Sequence, residues 1–179
     1  MTNENKSPIA IEQYHRLTMQ IDQIADELVQ SHKQHIICKE KCCSCCVNLS
    51  VFPVEFYAIK EMLEADGVKL PEFDDNATCG CLADSLCVIY KYRPVICRSH
   101  GLPIAFLDDL SDPPEMSVSF CEFNFTEINI GTYVFDQDNT LNVDAVNIAL
   151  HQINQQFIAE HPELKLDEQS RIPIKDLFV

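Results

Sequence analysis

Apolar residues recur at intervals of three and four from about Pro8 to Ile36, at Tyr14, Leu17, Ile21, Ile24 and Leu28. Glu12, Arg16, Gln20, Gln23, Glu27 and Gln30 fall on the opposite face. That period predicts a long amphipathic helix with one stripe against a core. A second helix is predicted from Pro53, whose locked φ and missing N–H suit a first turn. It buries Phe56, Ile59, Met62 and Leu63 and stops at Gly67. A third runs from about Val143 to Glu160, with Val146, Leu150, Ile153 and Phe157 at helical spacing. Asn142 is its N-cap, and Pro162 marks its end.

The β signals are weaker. Val118 and Phe120 suggest a short strand, and Thr132 to Phe135 another that turns at Asp136 to Asn139. Asp108 to Glu115 holds two prolines and four carboxylates and predicts a loop; Val68 to Asn76 is a polar connection. The tail to Val179 reads as a surface extension. The expectation is a mainly α fold, a single compact domain over 1–179, its helices joined by cysteine-rich loops with at most a short β-hairpin.

Composition narrows the function. A chain of 179 residues, 46% hydrophobic, can bury a core without cross-links. Its net charge of −15 argues against nucleic-acid partners, because such binding needs clustered Lys and Arg. No apolar run is long enough for a membrane span, and the polar start Met1 to Lys6 carries no secretory signal. A cytoplasmic location follows as the expectation, and a reducing compartment disfavours structural disulfides. With four glycines the chain shows no Gly-rich cofactor loop and no P-loop, and it carries no paired acid/base motif, so no catalytic residue is assigned. Asp108, Asp109 and Asp112 read as a solvated loop.

The chemistry lies in ten cysteines, nine of them between Cys38 and Cys97. A first cluster holds Cys38, Cys42, Cys43, Cys45 and Cys46; a second holds Cys79, Cys81, Cys87 and Cys97; Cys121 stands alone. Short loops deliver several soft sulfurs at little entropic cost, which suits zinc or iron, an iron–sulfur cluster included. Such a site needs sulfurs from both clusters to meet around a common ion. His35 and His100, each three residues from a cysteine, are further candidate ligands. A thiol-redox role is the competing chemistry: Cys42 and Cys45 form a Cys-x2-Cys pair beside Lys39 and Lys41. Cysteines buried as mere small hydrophobes would leave the clustering unexplained.

Cys87-Val-Ile-Tyr-Lys-Tyr-Arg-Pro-Val-Ile-Cys97-Arg98 resembles the Cys-x-Ile-Tyr-x-x-Arg-Pro-x-x-Cys-Arg signature of the YkgJ-type cysteine-cluster (CxxCxxCC) family of zinc- or iron-chelating domain proteins. Cys38, Cys42, Cys45 and Cys46 match that family's opening cluster, and Glu55 a glutamate found near the start of its next helix. Cys79-Gly80-Cys81-Leu82 stands where the family has Cys-Pro-Phe-Leu, and Cys121 to Phe125 resembles a later cysteine step. The resemblance covers about Cys38 to Phe125. It implies a chelated metal ion as the partner, held by Cys38, Cys42, Cys45, Cys46, Cys79, Cys87, Cys97 and Cys121, with Cys43 and Cys81 as spares. Ile89 and Tyr90 are expected to pack the site against the helices, Pro94 to aim Cys97, and Arg93 and Arg98 to offset thiolate charge. Flagellin lysine-N-methylases carry a similar cysteine domain, so a metalloenzyme is an alternative. An adaptor whose first helix docks a protein through Tyr14, Ile21 and Leu28 is another.

Overall fold

The structure is a computed structural model that describes residues 8–39, 41–129 and 131–178. The polar start Met1 to Lys6 and the terminal Val179 lie outside the described residues. Helix α1 spans Ile9–Ser31 and buries Ala10, Ile11, Tyr14, Leu17, Ile21, Ala25 and Leu28. Ile24 lies towards solvent and Ala25 takes its place in the buried stripe. The stripe at Tyr14, Ile21 and Leu28 is therefore used inside the molecule: Tyr14 and Ile21 join Val54, Leu150 and Phe157 in the main core. The adaptor surface expected on that stripe is not exposed.

After strand β1 (Ser50–Val51), helix α2 spans Pro53–Ala65 with Pro53 in its first turn. Its end is a Schellman turn: Val68 N–H donates to Leu63 C=O (2.9 Å) and Gly67 N–H to Glu64 C=O (3.1 Å). Gly67 supplies the positive φ (63°) that this turn requires. Strands β2 (Leu82–Ala83) and β3 (Leu86–Cys87) then make a two-residue hairpin. Asp84 and Ser85 both have positive φ, the primed-turn geometry that matches strand twist. A 3-10 turn at Tyr90–Tyr92 leads into the short helix α3 (Val95–Ser99), which carries Cys97.

Strand β4 (Ile104–Asp108) pairs antiparallel with β5 (Glu115–Ser119), and β6 (Leu141–Asn142) adds parallel to β4, giving the order β5-β4-β6. Asn142 then caps α4 (Val143–Glu160), its Oδ1 accepting from Ala145 N–H at 3.0 Å. Strand β7 (Ile172–Pro173) pairs antiparallel with β1, with Val51 opposite Ile172. Helices α1, α2 and α4 close one core around Tyr14, Ile21, Ala58, Leu150 and Phe157. A second core, around Phe56, Ile59, Cys79, Cys81, Ile89, Tyr92 and Ile174, lies beneath the cysteine loops.

The mainly α expectation is corrected. Helix makes up 41% of the described residues and strand 12%, spread over small sheets, so the fold is mixed α/β. These strands are two to five residues long. That is too short for alternation to show in the sequence, and β1 finds its partner β7 only far along the chain, Val51 opposite Ile172. Phe120 and Thr132 to Phe135 are outside any strand; Phe120, Phe125, Tyr133 and Phe135 instead form an aromatic cluster beside His32. The tail is not a surface extension, since Ile174 is buried and its N–H donates to Leu49 C=O at 2.9 Å. Among the described residues, no helix is long and apolar enough to cross a membrane.

Candidate metal centre

All ten cysteines are free thiols. They are brought together in two neighbourhoods that cut across the order of the sequence. The inner one unites Cys46 with the second cluster. Burial pushes the Cys46 thiol up to about 12, with Cys45, Cys79, Cys87 and Cys43 adding like-charge repulsion. Burial likewise pushes Cys97 up to about 12, helped by Cys87, Cys79, Cys46 and Glu55. Cys81 is raised well above the ordinary thiol range, first by burial and then by Cys79 and Cys87, and it shares a hydrogen bond with the Cys79 thiol. Burial raises Cys87 too, opposed by the Ile89 N–H and by the Arg93 guanidinium.

The outer neighbourhood holds Cys38, Cys42, Cys45 and Cys121. Partial desolvation raises Cys38, an Asn124 hydrogen bond opposes it, and Cys121, Cys42 and Cys45 add repulsion. Cys45 is raised by the same cause, with Cys42 and Cys121 as its charged neighbours, while a hydrogen bond to the Cys46 thiol pulls the other way. Cys45 and Cys46, adjacent in the chain, hydrogen-bond through their thiols and so join the two neighbourhoods.

Local structure explains these positions. Cys42 N–H donates to Lys39 C=O (2.9 Å) and Cys46 N–H to Cys43 C=O (3.0 Å), so the first cluster is two successive tight turns. Asn48 ties this loop to the next: its N–H donates to Thr78 C=O (2.9 Å), and its Oδ1 accepts from Gly80 N–H (2.8 Å), between Cys79 and Cys81. Cys97 is set by Glu55, a buried carboxylate at the start of α2. Its Oε2 accepts from Phe52 N–H at 3.2 Å, and its Oε1 accepts from Val95 N–H at 3.0 Å in the first turn of α3. Two helix starts are thereby pinned by one side chain.

The residues around the motif divide. Ile89 is buried as expected, but Tyr90 is 63% exposed, and Tyr92 packs inward instead. In a 3-10 turn, residues three apart share a side, so Ile89 and Tyr92 face the core and Tyr90 faces out. Pro94 is buried immediately before α3. The Arg93 guanidinium stacks over the Tyr90 ring at 4.0 Å and reaches Asp22 of α1 at 3.6 Å. Arg98 is buried and donates to the same Asp22, so its first task is to tie α3 to α1. His35 lies stacked on Phe125 (5.7 Å between centroids), and His100 is exposed just beyond α3.

Among the described residues, no three His, Cys, Asp or Glu side chains are already drawn into metal-holding geometry. The sulfurs gather without closing on one point. A cysteine has a single side-chain dihedral, and one rotamer change moves its sulfur by about 3 Å over a fixed backbone. Two surface clefts of about 240 Å³ lie elsewhere, one beside Leu63, Val68 and Phe178 and the other beside Asn48, Phe73 and Pro173; neither is lined by a cysteine. The sequence reading did not single out Asn124 as a partner of Cys38 or foresee the role of Asn48. Their only signal was proximity to cysteine in the chain. Comparison with protein-family models, with curated proteins and with solved structures finds no match.

Proposed function

We propose that this chain is a metal-binding protein of the YkgJ type, acting in the cytoplasm and chelating zinc or iron, an iron–sulfur cluster included, through clustered cysteine thiolates. The observation that carries the reading is the gathering of Cys46 with Cys79, Cys87 and Cys97 across fifty residues of chain. Several partly buried sulfurs crowded together suit a cation, because the ion compensates the thiolate charge that burial and mutual repulsion otherwise disfavour. As thiols they are neutral in a partly desolvated setting; bound to a metal, their charge is compensated by the ion. Arg93 beside Cys87 adds a fixed positive charge.

The thiol-redox alternative has less behind it. An attacking thiol needs a lowered pKa, yet Cys45 of the Cys-x2-Cys pair is shifted upward.

Isolation without oxygen, followed by metal analysis and a visible spectrum, tests the proposal. Stoichiometric zinc in colourless protein, or iron with acid-labile sulfide in coloured protein, supports it. Cys87→Ser and Cys97→Ser are expected to lose the metal, and Cys43→Ser to keep it. Equal loss in all three variants defeats this ligand assignment, and freshly isolated protein without metal defeats the function.

A further inference from the structure

We infer that the open edge and outer face of β5 form a docking site for an extended, lysine- or arginine-bearing segment of a partner protein, which joins the β5-β4-β6 sheet as a further strand. The inference goes beyond the metal-binding reading and does not depend on it.

The hydrogen bonds of β4 fix which backbone groups are on offer. Leu107 N–H donates to Asp144 Oδ2 at 2.7 Å, and Pro103 C=O accepts from Leu141 N–H at 3.0 Å. The odd-numbered residues of β4 therefore turn their backbone towards β6 and α4, away from β5. Their partners in the antiparallel ladder are Met116, opposite Leu107, and Val118, opposite Ala105. These two must then turn their own N–H and C=O away from β4. In the order β5-β4-β6 that direction is the open edge, and among the described residues β5 pairs with β4 alone. Proteins commonly blunt such an edge with a lysine, a proline or a bulge. Glu115-Met-Ser-Val-Ser119 contains no lysine or proline, and its ladder with β4 runs unbroken from Glu115 to Ser119.

The outer face beside this edge is apolar. Ile104 packs inward against Leu28, Leu102 and Leu141, so by alternation Leu107 and Met116 lie on the other face of the hairpin. They are a cross-strand pair, 51% and 58% exposed, and Leu110 at the turn is 93% exposed. Scattered surface leucines are ordinary, but here the exposed row runs along an unpaired strand.

Charge selects the occupant. Asp108 and Glu115 stand directly opposite one another in the ladder, a like-charge pairing that destabilises the hairpin end until a cation reaches it. Asp109 and Asp112 add to it, and none of the four has an ion-pair partner among the described residues. No Lys or Arg occurs between Arg98 and Lys165, a stretch that holds eleven Asp and Glu. A second copy of the chain, at a net charge of −15, would bring more repulsion to this edge. A strand that alternates apolar and cationic residues meets both needs. Its apolar side chains extend the row of Leu107 and Met116, and its cations face the row of Asp108 and Glu115.

The probe is a fluorescent peptide of about seven residues that alternates lysine with valine, titrated into the full chain isolated without oxygen. Saturable binding is expected, with the Met116 and Val118 amides gaining protection from exchange. The same peptide with glutamate in place of lysine should bind at least about tenfold more weakly. Val118→Pro removes one outward N–H and spares the ladder to β4, and it should weaken the lysine peptide about tenfold. Glu115→Lys, at an exposed position, should weaken the lysine peptide and strengthen the glutamate one. Absence of binding, equal binding of the two peptides by the parent chain, or Glu115→Lys without effect overturns the proposal, as does a folded Val118→Pro chain that binds as the parent does. Protection at Met116 and Val118 that rises with chain concentration, without peptide, overturns it in favour of a second copy.

Discussion

Asn124 commits its side chain to three partners at once, the Ile37 N–H, the Gly101 carbonyl and the Cys38 sulfur. Asn124→Ala would leave a donor and an acceptor without partners in a buried setting, each costing about 1–3 kcal/mol. A loss of about 2–4 kcal/mol is expected, read by denaturant unfolding. Gly101→Ala should cost about 1–2 kcal/mol, because φ of 86° penalises a Cβ that also crowds Cys38 Sγ. If Gly101→Ala is neutral in the same measurement, the close approach is not a constraint. The cysteines were visible in the sequence by their density. Asn124 and Gly101 were not, because a hydrogen bond or a close approach carries no periodic signature.

At the scale of elements, Glu55 joins the start of α2 to the start of α3. Glu55→Ala deprives Phe52 and Val95 of their acceptor, and a cost of about 2–4 kcal/mol is expected in thermal or denaturant unfolding. Glu55→Gln, which keeps one acceptor oxygen, should lose less. At the other end of α2, Asp66 accepts from Lys91 Nζ at 2.5 Å and from Tyr92 Oη at 2.6 Å. These two hydrogen bonds, Lys91 first, hold its carboxyl below the ordinary aspartate range. A depressed folded pKa means the tether acts above the unfolded value, about 3.9, and is lost as pH falls through the folded one. The protection factor of the Tyr92 amide, corrected for intrinsic exchange, should therefore fall below about pH 4, and Asp66→Asn should abolish that acid step. Both helix ends were legible from Pro53 and Gly67. The pairing of α2 with the turn before α3 was not, because it joins residues 26 positions apart.

Over the whole molecule, the last residues lock the inner cysteine loop. β7 pairs with β1, Ile174 enters the core that holds Cys79 and Cys81, and the Phe178 ring meets Phe73 edge-on at 5.1 Å. Phe73 in turn lies against Gly80, where a Cβ would stand 2.3 Å from its ring. A chain ended after Ser170 should therefore lose about 2–5 kcal/mol from the buried Ile174 alone. Limited proteolysis should then cut first between Asp74 and Ala83. Unchanged cleavage there would show that the tail does not hold the loop.

Three helices could be placed from the chain alone, because a helix is a local object whose period, caps and stop residues lie within a few positions of one another. The richness of the site in sulfur was legible for the same reason, as the cysteines crowd within each loop. What the chain alone did not reveal was their grouping. Cys46 packs with Cys79, Cys81 and Cys87 of the second cluster, and Cys121 meets Cys38 beside Gly101 across more than eighty residues. That sorting depends on long-range hydrogen bonds at Asn48, Glu55 and Asn124. It arises only once the helices have packed and brought distant loops within reach of one another.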